Sequence, residues 1–368
     1  MRRPPIRGCA LILFTNDYNR GAHPAVLQAI ADANESSFPG YGADEICARA
    51  AGLIRAALGG ADADVHFLVG GTQVNYTIIA AALRPWQSVL SADTGHIAQH
   101  EAGAVEHTGH KVEVVPGVDG KLSAAQVERA ALDSQESTVA EHITQPALVY
   151  LSQPTEFGTL YSRDELAAIS RTAHEHGLLL FIDGARLAYG LGSPGNDVAM
   201  ADMAALADVF TIGGTKCGAL FGEAAVLVNP AMRTGFRNQM KQNGAMLAKG
   251  WLLGLQFEAL FTDGLYRRIG AEADARALRI ARVFAEAGVP AFLDSPTNQQ
   301  FVVLTSAQLE ALSEGFGFEY WQRVDEDHHC VRFCTSWSTR DHEVDSLAAA
   351  VAALPADVGT RAMSTGRE

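Results

Sequence analysis

The chain has 368 residues, a length that suggests two or three domains at about 150 residues each. Hydrophobic residues make up 48% and charged residues 19%, which is the balance of a folded protein and excludes a disordered chain. The formal charge of −14 argues against a nucleic-acid partner, because its phosphates would be repelled. The five cysteines form no CxxC pair and no disulfide framework, so a reducing, cytoplasmic compartment is expected, and no apolar run is long enough to predict a membrane span.

Between residues 60 and 230, short apolar runs alternate with longer stretches of helical period. The runs predict strands over 65–69, 88–91, 111–115, 147–151, 178–182, 209–212 and 224–228. The stretches between them predict helices over 74–83, 98–104, 124–132 and 163–176, the last with Ser162 and Glu165 as a capping box. Apolar strands separated by helices are typical of a mainly parallel sheet covered on both faces, so we predict an α/β fold.

After residue 230 the pattern changes. Long helices are predicted over 240–260 and 271–287, and short β-like pieces at 301–305 and 330–334 flank a helix over 306–314. A last amphipathic helix is predicted over 340–354. We therefore expect a large α/β domain over 1–250, including an N-terminal arm, and a smaller α+β domain over 251–368.

Two charged residues stand where predicted strands end. Lys216 follows the strand at 209–212 in a Gly-Gly-Thr turn, and ligands of parallel α/β sheets bind at such strand ends. A partly desolvated lysine there can attack an aldehyde, although a surface-loop lysine would look the same. Asp183 follows five apolar residues, where it is either a helix N-cap or the acid that pairs with the pyridine nitrogen of pyridoxal phosphate.

Two further stretches suggest a site for an anionic group and an acid or base. The glycine turn before a predicted helix at Gly71 and Thr72 could bind a phosphate through backbone N–H groups, and it matches no nucleotide-binding fingerprint. His96 and His100 stand four residues apart, but no third ligand accompanies them, so we expect no metal. An imidazole that stacks on a cofactor ring or acts as acid or base is preferred for His96.

These motifs together resemble the low-specificity L-threonine aldolases of the β-eliminating lyase group, which are pyridoxal-phosphate enzymes of the aspartate-aminotransferase fold. The resemblance extends over about residues 16–354 and rests on short motifs. These are Tyr41-Gly42, Gly71-Thr72, Gly95-His96-Ile97 with Glu101, Asp183-Gly-Ala-Arg186, Gly213-Gly-Thr-Lys216 and Val331-Arg332-Phe. The resemblance implies a large, mainly parallel, seven-stranded sheet domain of the aminotransferase type.

The resemblance also implies a role for each candidate residue. Lys216 would hold pyridoxal phosphate as a Schiff base and Asp183 would pair with its ring nitrogen. His96 would stack on the cofactor ring, and the phosphate would be bound by Gly71 and Thr72, with Lys249 contributing across the subunit interface. The substrate carboxylate would be bound by Asn16, Arg186 and Arg332. Tyr41 would extend into the active site of the neighbouring subunit. The implied reaction is cleavage of a β-hydroxy-α-amino acid of the L-threonine or L-allo-threonine type to glycine and an aldehyde, in a homodimer or homotetramer with shared sites.

One stretch departs from that family. Many members have a histidine after the fourth strand, in a stretch like Thr-His-Asn-Arg, where this chain has Thr155-Glu156. The base that removes the β-hydroxyl proton is therefore left open between His96, Glu156 and a water held by either. A phenylserine aldolase, a β-eliminating lyase or an aminotransferase would share the cofactor residues. A nucleotide-binding enzyme of another class is not supported, because no Asp or Glu at the end of the following predicted strand accompanies the glycine turn. A non-enzymatic protein would leave Lys216 and Asp183 unexplained.

Overall fold

The computed structural model describes residues 11–355, so Cys9 and the outer ends of the predicted domains 1–250 and 251–368 lie outside the described residues. The strands are β1 Ile12–Leu13, β2 Asp64–Leu68, β3 Gln87–Ala92, β4 Lys111–Val115, β5 Gln145–Ser152, β6 Leu179–Asp183, β7 Val209–Gly213, β8 Glu223–Leu227, β9 Gln299–Thr305, β10 Phe316–Gly317, β11 Glu319–Arg323 and β12 His328–Cys334. The helices are α1 Pro24–Ala33, α2 Glu45–Ala57, α3 Gly71–Ala82, α4 His96–Gln99, α5 Ala104–His107, α6 Ala124–Gln135, α7 Arg163–Glu175, α8 Leu187–Gly192, α9 Met200–Leu206, α10 Phe236–Gln242, α11 Trp251–Phe261, α12 Leu265–Glu286, α13 Ser306–Ser313 and α14 Asp341–Ala352. Over the same residues, no helix combines the length and the apolar character needed to cross a membrane.

Seven strands form one sheet, in the order β2-β8-β7-β6-β5-β3-β4. The pairs of β8 with β2 and with β7 are antiparallel, and the other four pairs are parallel. Each of the seven apolar runs predicted as a strand contributes one strand to this sheet. The predicted α/β class and the mainly parallel seven-stranded sheet are confirmed.

Helices cover the sheet on both faces, as the continuous apolar strands predict. Along each strand, alternate residues belong to different cores: Ile182 packs with α2, α7 and α11 on one face, whereas Phe181 packs with α3 and α10 on the other. The strands in the middle of the sheet are therefore buried on both sides, and β7 and β8 are buried along their whole length. Helix α7 begins at the predicted capping box of Ser162 and Glu165.

A second, antiparallel sheet in the order β11-β12-β9 lies in the C-terminal part of the chain. Helices α12 and α14 pack on it around a separate core that includes Phe284 and Phe333. Phe14 from the start of the described chain joins this core, and β1 pairs with β10. Helices α11 and α12 also pack against α2 and α8 of the first unit. The exact domain boundary at residue 250 stays a prediction.

Two of the predicted helices are broken. The stretch 240–260 contains α10 and α11 with a loop between them, because Gly244 has a positive φ of 68° and Gly250 approaches Gly42 so closely that a Cβ would lie 2.5 Å from its nitrogen. The stretch 98–104 is divided between α4 and α5, since Ala102 and Gly103 both adopt positive φ. Apolar periodicity alone did not reveal either break.

Candidate active site

The carboxyl ends of β5, β6 and β7 and the start of α3 surround a small cavity. Its lining residues are Gly71, Asn75, His96, Ser152, Pro154, Glu156, Asp183, Ala185, Arg186 and Lys216. Six of the residues singled out from the sequence are among them, although they come from five separate stretches of chain. The edge of a parallel sheet where strands end is the place where α/β proteins bind ligands.

Lys216 lies in the turn after β7, where the main chain is held tightly. A Cβ at Gly213 would lie 2.1 Å from the carbonyl oxygen of Ala185, so only glycine fits, and the Tyr189 hydroxyl donates to the Lys216 carbonyl at 2.5 Å. Within residues 11–355 the Lys216 Nζ atom has no hydrogen-bond or ion-pair partner. Burial, and then the positive charge of Arg186, lower the pKa of Lys216. Both effects favour a neutral amine that can act as a nucleophile.

A buried glutamate that was not predicted as a site residue supports this turn. Glu223 begins β8 opposite Gly213, and its Oε2 accepts a hydrogen bond from the Gly214 N–H at 3.2 Å. Burial raises the pKa of Glu223 to about 8, against the hydrogen bond from Thr215 and the charge of Lys216. A glutamate at a strand start has no sequence signal that separates it from a surface residue.

Asp183 is buried at the end of β6 with donors on both oxygens. Oδ2 accepts from the Tyr150 hydroxyl at 2.6 Å and from Asn75 Nδ2 at 2.9 Å, and Oδ1 accepts from the Ala185 N–H at 2.8 Å. Burial by itself would raise the pKa of Asp183, but the Tyr150 hydrogen bond and the neighbouring positive groups outweigh it and lower the pKa. Asp183 is thus an ionised carboxylate that can stabilise a cationic partner such as a protonated ring nitrogen.

The glycine turn leaves open space beside the first turn of α3. Gly70 is the N-cap and makes no side-chain cap, and a Cβ added to Gly70 or Gly71 would meet no atom within 4 Å. The backbone N–H groups in the first turn of α3, which includes Thr72, have no carbonyl partner within the helix. Such donors bind phosphate without the help of a lysine or arginine. The turn therefore leaves room beside unpaired backbone donors of the kind that an anionic group accepts from.

His96 is oriented by a buried carboxylate. Its Nδ1 lies 2.7 Å from Glu101 Oε1, and the same oxygen accepts from Asn75 Nδ2 at 2.8 Å. Glu101 Oε2 and Asn75 Oδ1 are buried without a hydrogen-bond partner in the described part of the chain. Sequence reasoning missed Asn75, yet it stands four residues after Gly71 and so shares that face of α3, which is a signal that could have found it.

Glu156 faces the same cavity but is engaged differently. Its Oε1 accepts from the Ser152 hydroxyl at 2.7 Å and from the His96 N–H at 3.0 Å, so it holds the start of α4. Burial raises the pKa of Glu156, in spite of the Ser152 hydrogen bond. The His100 ring lies 5.6 Å from the His96 ring. His96 Nδ1 is already paired with Glu101, and residues 11–355 contain no cluster of three or more His, Cys, Asp or Glu side chains suited to a metal.

The two arginines differ in how much of each guanidinium is already used. Arg186 makes a two-point ion pair with the fully buried Asp17, with Nε 2.8 Å from Oδ2 and Nη2 3.1 Å from Oδ1. Arg332 donates from Nη1 to Gln299 at 2.9 Å and from Nη2 to the Thr15 carbonyl at 3.3 Å. Its Nε is buried with no partner in the described chain. Asp17 is a second residue that sequence reasoning missed.

Thr72 and Arg332 do not line the cavity, and Asn16, Tyr41 and Lys249 also lie outside its lining. The Asn16 side chain accepts from the Tyr18 N–H at 3.1 Å. Tyr41 is 47% exposed, and its ring lies under Lys241 with Nζ 4.7 Å from the ring centre. Lys249 is exposed in the loop whose Ala248 carbonyl accepts from the Tyr41 N–H. The roles assigned to these residues stay predictions.

Comparison with known proteins agrees with this architecture. Residues 18–310 match the model of the β-eliminating lyase family. A low-specificity L-threonine aldolase of Pseudomonas aeruginosa is 32% identical over 338 residues, which is 91% of this chain and 95% of that protein. The structure of a threonine aldolase from Leishmania major superposes with a TM-score of 0.90 at 43% identity, over 92% of this chain and 98% of that one.

The fold is also similar to that of a more distant protein. An aspartate aminotransferase variant of Thermus thermophilus superposes with a TM-score of 0.69 at 15% identity, over 94% of this chain and 92% of that one, which concerns the fold alone. The aminotransferase-type fold and the family resemblance predicted from the sequence are confirmed. The chain belongs to the β-eliminating lyase family.

Proposed function

We propose that this protein is a pyridoxal-phosphate-dependent aldehyde-lyase that cleaves β-hydroxy-α-amino acids of the threonine type into glycine and an aldehyde. Family and fold imply the cofactor, and relatives named as threonine aldolases support the reaction. The observation that favours it most is one cavity that holds a buried lysine, a buried ionised aspartate and a histidine paired with glutamate. We further propose that it works in the cytoplasm, as its cysteine usage suggests.

The residues present fit the cofactor. Lys216 would hold it covalently as a Schiff base, Asp183 would pair with its ring nitrogen, and Gly71 and Thr72 would bind its phosphate at the start of α3. The open space beside Gly70 and Gly71 supports the phosphate assignment. When bound, the cofactor supplies an electron sink for the pair released by the broken Cα–Cβ bond.

The geometry favours His96 over Glu156 as the base. Because Glu101 accepts from His96 Nδ1, the proton is held on that nitrogen and Nε2 is left with a lone pair. Nε2 can then take the proton from the β-hydroxyl group as the Cα–Cβ bond breaks. Glu156 already accepts two hydrogen bonds on one oxygen, which suits it to position α4.

Arg332 is the better of the two arginines for binding the substrate carboxylate. Asp17 already accepts the Nε–H and one Nη2 N–H of Arg186 and neutralises its charge. The two hydrogen bonds of Arg332, in contrast, go to the neutral amide oxygen of Gln299 and the carbonyl of Thr15. Within residues 11–355, the Nε of Arg332 also has no hydrogen-bond partner. We propose that Arg332 binds the carboxylate, that Arg186 adds a single contact, and that Asn16 lies beside them. Fixing the carboxylate turns the Cα–Cβ bond toward the orientation in which it breaks.

Tyr41 and Lys249 support a shared site in a dimer, or in a tetramer built from such dimers. Both are exposed and neither lines the cavity of its own chain. The test mixes Lys216→Ala subunits with Tyr41→Ala subunits. Mixed dimers should regain one intact site, so activity should return after subunit exchange, whereas no recovery after verified exchange contradicts the proposal.

The reaction is tested by incubating the purified protein with L-threonine, L-allo-threonine and β-phenylserine and measuring glycine and aldehyde together. Equal amounts of the two products are expected, and Lys216→Ala should reduce both to background. Lys111→Ala is the matched control, because that lysine is exposed on β4. A keto acid in place of glycine would contradict cleavage and indicate transamination or β-elimination.

A further inference from the structure

One buried amide joins the two ends of the site. Asn75 is completely buried on α3 and lines the cavity. Its Nδ2 lies 2.8 Å from Glu101 Oε1 and 2.9 Å from Asp183 Oδ2. A single nitrogen therefore bridges the carboxylate that orients His96 and the carboxylate assigned to the ring nitrogen of the cofactor.

This contact pattern determines which way the amide points. An ionised carboxylate only accepts hydrogen bonds, and an amide nitrogen has two hydrogens, so only the NH₂ end of Asn75 can serve both acids. Its Oδ1 is left buried without a partner in the described chain. Burying an unpaired carbonyl oxygen is unfavourable, so packing alone does not account for an asparagine at this position.

The two acids depend on Asn75 to different degrees. Asp183 has other donors, including the Tyr150 hydroxyl and the Ala185 N–H. Among the described residues, the Glu101 side chain accepts only from Asn75 and His96. Loss of the amide should therefore disturb Glu101, and through it His96, more than it disturbs Asp183.

We propose that Asn75 is a positioning residue that holds the Glu101 and Asp183 side chains side by side as hydrogen-bond acceptors and so keeps the His96 ring in place to act as base. The inference rests on the proposed function for the role of His96. The ionisable groups around this network come from α4 and the turn after it, from β5 and the loop after it, from the end of β6 and from the turn after β7. They are His96, His100, Glu101, Tyr150, Glu156, Asp183 and Lys216.

Two substitutions separate hydrogen bonding from shape. Asn75→Asp keeps the size of the side chain but removes both N–H donors and adds a negative charge. Asn75→Ala removes the side chain and is the second variant should the aspartate variant fail to fold. Asn243→Ala is the matched control, because that amide also contacts α3, at Thr77, but lies outside the cavity lining. Thermal unfolding verifies that each variant is folded.

The first readout is the pH titration of the His96 ring, which is monitored by NMR in protein isotopically labelled at histidine. The His96 signal is assigned by its loss in His96→Gln. Asn75→Asp should raise the titration midpoint by about one pH unit, because a nearby negative charge favours the imidazolium. The double variant Asn75→Asp with Glu101→Gln exchanges the amide and the carboxylate and should bring the midpoint back toward the parent value. Asn243→Ala should leave it unchanged.

The second readout is the division between kcat and KM. Asn75→Ala should lower kcat about tenfold or more with KM within about threefold of the parent, because the carboxylate contacts at Arg332 are untouched. The inference is overturned if Asn75→Asp leaves the His96 midpoint within about 0.2 units of the parent, or if Asn75→Ala keeps kcat within about twofold. A parent protein that releases no aldehyde contradicts the proposed function instead, and the NMR titration still tests the network.

Discussion

Replacing Asp17 with alanine should destabilise the fold by about 4 kcal/mol. Asp17 is buried against Arg186, with two charge-assisted hydrogen bonds of 2.8 and 3.1 Å, and it accepts a third from Asn298 at 2.9 Å. Removing one partner of a buried ion pair leaves the other charge uncompensated and costs about 3 to 5 kcal/mol. For a chain of 368 residues, an unfolding entropy of about 2.1 cal/mol/K per residue converts 4 kcal/mol into a Tm lower by about 5 °C.

The effect should depend on pH only in acid. Burial raises the pKa of Asp17, but the charges of Arg186 and Lys216 and the hydrogen bonds from Arg186 and Asn298 together outweigh it, so the pKa in the folded state lies below the ordinary value of 3.8. An acid with a lowered pKa contributes stability above its unfolded pKa and loses it as the pH falls through the folded pKa. The Tm difference between Asp17→Ala and the parent should therefore be constant from pH 8 to 5 and shrink below about pH 4.

Calorimetry at equal protein concentration measures this difference. The control is Asp133→Ala, which breaks an exposed ion pair with Arg129 on α6 and should change Tm by less than about 1 °C. If Asp17→Ala lowers Tm no more than Asp133→Ala does, the buried pair of Asp17 and Arg186 does not stabilise the fold.

Three further substitutions test the site and the core. Asp183→Asn should retain bound cofactor, seen by its absorbance, but lower kcat about a hundredfold or more, because the charge that keeps the ring nitrogen protonated is lost. Arg332→Ala should raise KM about tenfold or more with a smaller change in kcat, measured by initial rates, because a carboxylate contact is present in ground and transition states alike. Burial raises the pKa of Asp274 to about 9. An acid with a raised pKa in the folded state makes the fold less stable as the pH rises from its unfolded pKa of 3.8 toward 9. The Tm of Asp274→Asn should therefore increasingly exceed that of the parent as the pH rises from 5 to 8. The corresponding gain in the free energy of unfolding is at most about 4 kcal/mol at pH 7.

Each of these has an outcome that contradicts it. Asp183→Asn with the parent's kcat would remove the ring-nitrogen role, and Arg332→Ala with an unchanged KM would move the carboxylate site elsewhere. A Tm difference between Asp274→Asn and the parent that is the same at pH 5 and pH 8 would show that Asp274 does not titrate in this range.

The strands and the residues at their ends were predictable because their signals are local. An apolar run followed by a polar residue marks a buried strand that ends at a sheet edge, and this holds for Asp183 and for Lys216. Asp17 has no such signal, and Asn75 has only its spacing of four residues from Gly71 on α3. Their partners lie 26, 108 and 169 residues away along the chain, so only the folded structure brings them together. The break at residues 243–250 was missed because it depends on contact with Gly42.

The proposed function depends above all on Lys216 as the residue that holds the cofactor. The most direct measurement is reduction of the purified holoenzyme with borohydride, followed by proteolysis and mass spectrometry of the labelled peptide. We predict that the reduced cofactor is attached to Lys216 in the parent, that the label is absent in Lys216→Ala, and that Lys111→Ala is labelled like the parent. A label on any other lysine of a protein that still releases glycine and aldehyde would contradict the account.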